Sequence, residues 1–90
     1  MHATLRWYAD PDLADKLNER SDDVRSIISG LAGFRAYYLI RSDAGTISVS
    51  IFDDESSTKE SNEAAASWLR ENMPGVSASN VAGGEVVLSL

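Results

Sequence analysis

The sequence predicts an α+β fold: a ferredoxin-like βαββαβ sandwich, a four-stranded antiparallel sheet with two helices on one face. Three observations predict it. Residues 34–52, FRAYYLIRSDAGTISVSIF, are two runs rich in aromatic and β-branched residues joined by Ser42, Asp43, Ala44 and Gly45, the pattern of a β-hairpin. A strand pattern and then a helix pattern precede the hairpin, and a helix pattern and then a strand pattern follow it. Right-handed crossovers applied to that order leave this sandwich as the leading solution, with the first and third strands in the middle.

Each element has its own local cause. His2 to Tyr8 alternates Ala3, Leu5 and Trp7 with His2, Thr4, Arg6 and Tyr8, a strand with one buried face. Asp10 and Pro11 then supply an N-cap acceptor and a residue pre-set for a first helical turn. Leu13, Leu17, Val24, Ile27, Ile28 and Leu31 recur at helical spacing, Ser21 to Asp23 are a weak stretch expected to kink the helix, and Gly30 is the expected stop. After the hairpin, Asp53 or Asp54, or Ser57 with Glu60, can cap a second helix that Pro74 and Gly75 end. Its inner stripe, Ser57, Ser61, Ala64, Ala65, Trp68, Leu69 and Met73, is small at the front and bulky at the back. Glu85 to Leu90 is expected to be the last strand.

In this arrangement Ala3, Leu5, Trp7, Ile47, Val49 and Ile51 are expected to face the helices. Thr4, Arg6, Tyr8, Tyr37, Leu39, Ser48, Ser50, Phe52 and Val87 are left on the open face. That open face is half apolar, too large a patch to leave wet, and a second copy of the same sheet is the expected cover.

Composition narrows the function. A 90-residue chain is one domain, residues 1–90, and it buries a modest share of its surface alone. Its 14 acidic and 8 basic side chains give a net charge of −6, which argues against nucleic acid and anionic membrane as partners. The absence of cysteine excludes disulfides and thiolate chemistry and suits a cytoplasmic protein. MHATLRWYAD carries no long apolar run, so neither a signal peptide nor a membrane span is expected.

The chain resembles the dimeric α/β-barrel superfamily, in particular the small antibiotic-biosynthesis-monooxygenase-like proteins. The resemblance rests on the βαββαβ order, on GFRAYYLI, on TISVSIFDDE and on ESNEAAASWLREN. It implies a homodimer packed sheet on sheet, a dimeric α/β barrel, and in some members a ligand between sheet and helices. Active members oxygenate aromatic polyketides without metal or flavin, and others degrade haem.

Candidate site residues follow. Asn62, at the edge of the inner stripe, is either a boundary residue bonded locally or an amide pointing into a pocket, where it could fix a ligand carbonyl or phenol. Trp7 and Trp68 are expected to point into one interlayer space as core or as pocket walls. Tyr38 and Tyr8 carry hydroxyls able to orient a phenolic ligand. A ligand-binding cavity bounded by Trp7, Tyr38, Asn62 and Trp68 is therefore expected, with room under Ser57, Ser61 and Ala65. No cofactor and no metal site is expected: His2 is the single histidine, and Asp53, Asp54 and Glu55 are accounted for by capping and the helix dipole. Arg6, Arg35 and Arg41 are expected at salt bridges or at the rim, with binding of a carboxylate as the lesser alternative. The two function classes are a homodimeric ligand-binding or cofactor-independent monooxygenase-like protein and a non-catalytic dimerisation or regulatory module.

Overall fold

The computed structural model describes residues 1–90. Strands β1 (His2–Tyr8), β2 (Phe34–Ser42), β3 (Gly45–Phe52) and β4 (Asn80–Glu85) form one antiparallel sheet in the order β2-β3-β1-β4. Helices α1 (Leu13–Glu19), α2 (Ser21–Ile28) and α3 (Glu55–Asn72) cover one face of it. This is the expected ferredoxin-like sandwich with β1 and β3 central.

The local signals act largely as the sequence suggests. Asp10 does not cap α1, whose N-cap position is Asp12 with no side-chain bond; its Oδ1 accepts from the Asp12 N–H at 2.9 Å in the turn that leads into the helix. Asp54 caps α3, its Oδ1 accepting from the Ser57 N–H at 2.9 Å, and the chain leaves that helix at Met73, just before Pro74 and Gly75. The hairpin closes through Asp43 and Ala44, with Ser42 opposite Gly45. Gly45 has φ +155°, and a Cβ there would stand 2.0 Å from the Tyr8 carbonyl oxygen, so only glycine lets the turn sit against the end of β1.

Three expectations need correction. The first helix is two helices, broken at Arg20 (φ −111°, ψ 35°). Ser21, Asp22 and Asp23 do not kink a helix but start one, where their acidic groups meet the positive end of α2. Gly30 is not left-handed; the positive φ falls at Gly33 (+76°), whose carbonyl accepts from the Asp53 N–H at 2.9 Å. The last strand is Asn80–Glu85, not Glu85 to Leu90. It pairs with His2 to Trp7, and after Val86 N–H reaches the Met1 carbonyl at 2.8 Å the partner strand has run out. Val87, Leu88 and Leu90 lie exposed despite their high strand propensity.

The largest correction concerns the faces of the sheet. Thr4, Arg6 and Tyr8 of β1 and Thr46, Ser48, Ser50 and Phe52 of β3 are the residues under the helices, none more than 5% exposed. They sit opposite one another in register, Thr4 with Ser50, Arg6 with Ser48 and Tyr8 with Thr46. Tyr37 and Leu39 of β2 join them across from Ser50 and Ser48. Ala3, Leu5, Trp7, Ile47, Val49 and Ile51 point the other way, with Ala36, Tyr38 and Ile40 beside them. Period-two alternation fixes which residues share a face but leaves open which face meets the helices. Here the polar set went inside, where Thr46 is held by the Ala14 N–H at 3.0 Å and by the Asp10 carbonyl at 2.8 Å. The helices add Leu13, Leu17 and Leu69, which form the buried core with Tyr8.

Candidate functional site

The polar inner face is built around Arg6, in the middle of β1 and 4% exposed. Its Nη1 donates to Asn62 Oδ1 at 2.6 Å, and Asn62 Nδ2 donates to Thr4 Oγ1 at 3.1 Å. Asn62 can reach down because α3 carries small residues beside it. Ser57 is 6% exposed and Ser61 fully buried, and Ser61 Oγ returns its hydrogen bond to the Thr58 carbonyl at 2.8 Å. Helix and sheet therefore approach closely at that end. Ser57 and Ser61 line none of the principal cavities, so the room expected beneath them is closed by packing.

Arg6 has no carboxylate partner. The chain's ion pairs join Lys16 to Asp10, Arg20 to Asp23, Arg35 to Asp53, Arg41 to Asp15 and Lys59 to Glu55, all near the surface. Arg35 and Arg41 thus take the expected salt-bridge role, and Arg6 does not. Arg6 Nε is buried without a hydrogen-bond partner, and so are Ser48 Oγ and Ser50 Oγ. Buried polar atoms are rarely left unmatched in a native fold, and three on one face mark that face as unusual.

Open space lies further back. Arg6, Tyr8, Tyr37, Ser48, Ala65 and Trp68 are among the walls of an inner cavity of about 40 Å³. Leu17, Val24, Ile28 and Tyr37 are shared between it and a groove of about 430 Å³ that opens between α2 and β2, past Phe34 and Leu39. Trp68 is held in place by the Arg20 guanidinium, 4.9 Å from its ring centre. Burial pushes the Tyr37 phenol above its ordinary pKa, and the positive charge of Arg6 works against that rise. The combination is an apolar groove ending in a small, mainly apolar chamber with Arg6 and Ser48 in its wall.

The four residues expected to bound a single cavity are not brought together. Asn62 and Trp68 belong to the space between α3 and the sheet, Asn62 through its bond to Arg6 and Trp68 as a wall of the inner cavity. Trp7 and Tyr38 stand on the opposite face; Tyr38 is 58% exposed, and Trp7 lies beside Ile47 and Ala44 at the hairpin end. Arg6, Tyr37 and Ser48 take their place. The signal for them was present: a charged residue between Thr4 and Tyr8 on a central strand, opposite small hydroxyls, on a sheet already apolar along its other face.

No family model matches the chain, and no curated protein matches it in sequence. Solved structures do. The heme-degrader MhuD from Mycobacterium tuberculosis, with two hemes in its active site, superposes with a TM-score of 0.67 at 14% identity over 100% of this chain and 99% of that one. A variant of MhuD holding two manganese protoporphyrin IX groups gives 0.73 at 15% identity, covering 100% and 98%. SnoaB, a cofactor-independent oxygenase from Streptomyces nogalater, gives 0.58 at 13% identity, covering 99% and 92%. The chain thus shares the fold of these structures. At such identity the likeness speaks for the fold alone.

Haem, the group bound in MhuD, would find no histidine ligand among the residues that line the groove and chamber. α3 contains no histidine, and His2 stands at the start of β1 near Glu55, Thr58 and Gly84, on the far side of Asn62 from the inner cavity. No side chain able to serve as an axial imidazole faces the chamber. No group of three or more His, Cys, Asp or Glu residues is placed to hold a metal ion, and no helix is long and apolar enough to cross a membrane.

Proposed function

We propose that the protein is a homodimer that holds a small aromatic or polyketide-like ligand between the sheet and helices of each protomer, as a binding protein or oxygenase of the cofactor-independent type. The observation that carries this is the inverted sheet. Its buried face is polar and holds a chamber, and its uncovered face is a continuous field of Leu5, Trp7, Tyr38, Ile40, Ile47, Val49 and Ile51. A field of that kind exceeds what a lone chain leaves wet, and twofold packing of two such sheets covers it. A chain that needed only a tight core would have turned the apolar face toward its helices.

Fluorescence separates this from a non-catalytic dimerisation module. In a Trp7→Phe background the emission reports Trp68 alone, and a panel of hydroxylated aromatics is expected to quench it saturably. Ala65→Phe, which fills the inner cavity, is expected to weaken that quenching by about tenfold or more. Absence of quenching by any compound of the panel supports the dimerisation module instead. Oxygen uptake with the compounds that bind then distinguishes an oxygenase from a carrier.

A further inference from the structure

We propose that the inner chamber takes the carboxylate of an amphipathic organic acid, with Arg6 as its counter-ion, Ser48 as a second donor and Asn62 as the residue that positions Arg6. This rests on the interlayer space being a ligand chamber, and it adds the charge and shape of the ligand's head group.

An ionised guanidinium removed from water is strongly disfavoured unless an opposite charge is near. Arg6 is 4% exposed, and no acidic side chain pairs with it. The neutral Asn62 amide occupies Nη1 and leaves Nε without a partner. The Nε–H and the adjacent Nη2–H of a guanidinium run parallel, and their spacing matches the two oxygens of a carboxylate. A phenolate, with a single oxygen, would leave one of those donors unmatched.

Ser48 stands directly across from Arg6 in the sheet, and its buried hydroxyl has the Tyr37 phenol within reach but no well-formed hydrogen bond. Arg6 and Ser48 both line the cavity of about 40 Å³, which exceeds the space one water needs. From it the groove continues along Leu17, Val24, Ile28, Phe34 and Leu39, which suits an apolar body. At the mouth of the groove Arg25 is exposed and free of any ion pair. One end of the space thus selects for charge and the rest for hydrophobic bulk.

Isothermal titration calorimetry on the full chain tests this with naphthoate, its neutral counterpart naphthamide, and nitrophenolate. The wild type is expected to bind naphthoate about tenfold or more tightly than naphthamide, the scale of a hydrogen bond to a charged group. Arg6→Met removes that preference, read as the ratio of the two affinities. Asn62→Asp supplies an internal carboxylate to the same guanidinium, so it also removes the preference while keeping the fold, as circular dichroism would verify. This second variant keeps the test decisive even where Arg6→Met fails to fold. Equal binding of naphthoate and naphthamide by the wild type, or an undiminished preference in Asn62→Asp, overturns the carboxylate assignment and leaves the chamber standing. Tighter binding of nitrophenolate than of naphthoate overturns it too, in favour of a single-oxygen anion. If none of the three probes binds, the chamber itself falls, and the assignment with it.

Discussion

An arginine in the middle of a central strand, buried and without a carboxylate partner, destabilises the fold, and its neighbours offset only part of that. Tyr37 shows the same environment from the other side. Burial raises its phenol, so the folded chain keeps that proton at pH values where the unfolded chain has released it. The stabilisation this represents is fully present below the ordinary phenol range and is lost as pH rises through that range and beyond. Tyr37→Phe is therefore expected to flatten the alkaline fall of stability, read as urea midpoints from neutral buffer to about pH 11. Parallel alkaline slopes in the two proteins would sink this account of Tyr37. Asn62 was legible in the sequence as a polar residue at the edge of a helix stripe, and Trp68 as a bulky residue at its back. Arg6 was legible only as a charge within a strand pattern; what singles it out is the lack of an ion pair, which depends on residues far away in the chain.

Elements whose causes are local were readable. Asp10, Asp54 and the Pro74–Gly75 pair act within a turn or so of their own positions, and the hairpin's register follows from its two-residue loop. Gly45 is the sharpest case. Gly45→Ala drives a methyl group against the Tyr8 carbonyl and holds alanine in a sparsely populated backbone conformation. The expected loss is about 3 kcal/mol, measured by chemical denaturation, combining strain and overpacking. A loss below about 1 kcal/mol would mean that the turn relaxes away from β1. The end of β4 was not readable from Val86 to Leu90, because a strand stops where its neighbour does, and β1 begins at His2. The orientation of the sheet failed for a related reason: alternation along β3 is symmetric under exchange of its two faces, and only the cladding breaks the symmetry.

For the molecule as a whole, the homodimer is the claim most exposed to experiment. Val49 lies on the uncovered face, paired with Leu5 on one side and Tyr38 on the other. Val49→Glu is expected to raise the dimer dissociation constant by about 100-fold or more, seen by sedimentation equilibrium, because a carboxylate there would be buried unpaired. The far-ultraviolet circular dichroism should not change, since the side chain touches neither helix layer nor chamber. A wild-type chain that sediments as a monomer at every concentration would remove the twofold partner from the picture.

The alternation of β1 and β3 also separates two kinds of inheritance. Even-numbered positions, Thr4, Arg6, Tyr8, Ser48 and Ser50, look toward the helices, and odd-numbered ones, Leu5, Trp7, Ile47 and Val49, look away. In the function proposed above, what the protein recognises and how its copies meet are written in alternate letters of the same two strands. Substitution at one set can redirect selectivity while assembly stays untouched, but a single inserted or deleted residue in either strand exchanges the sets and abolishes both at once.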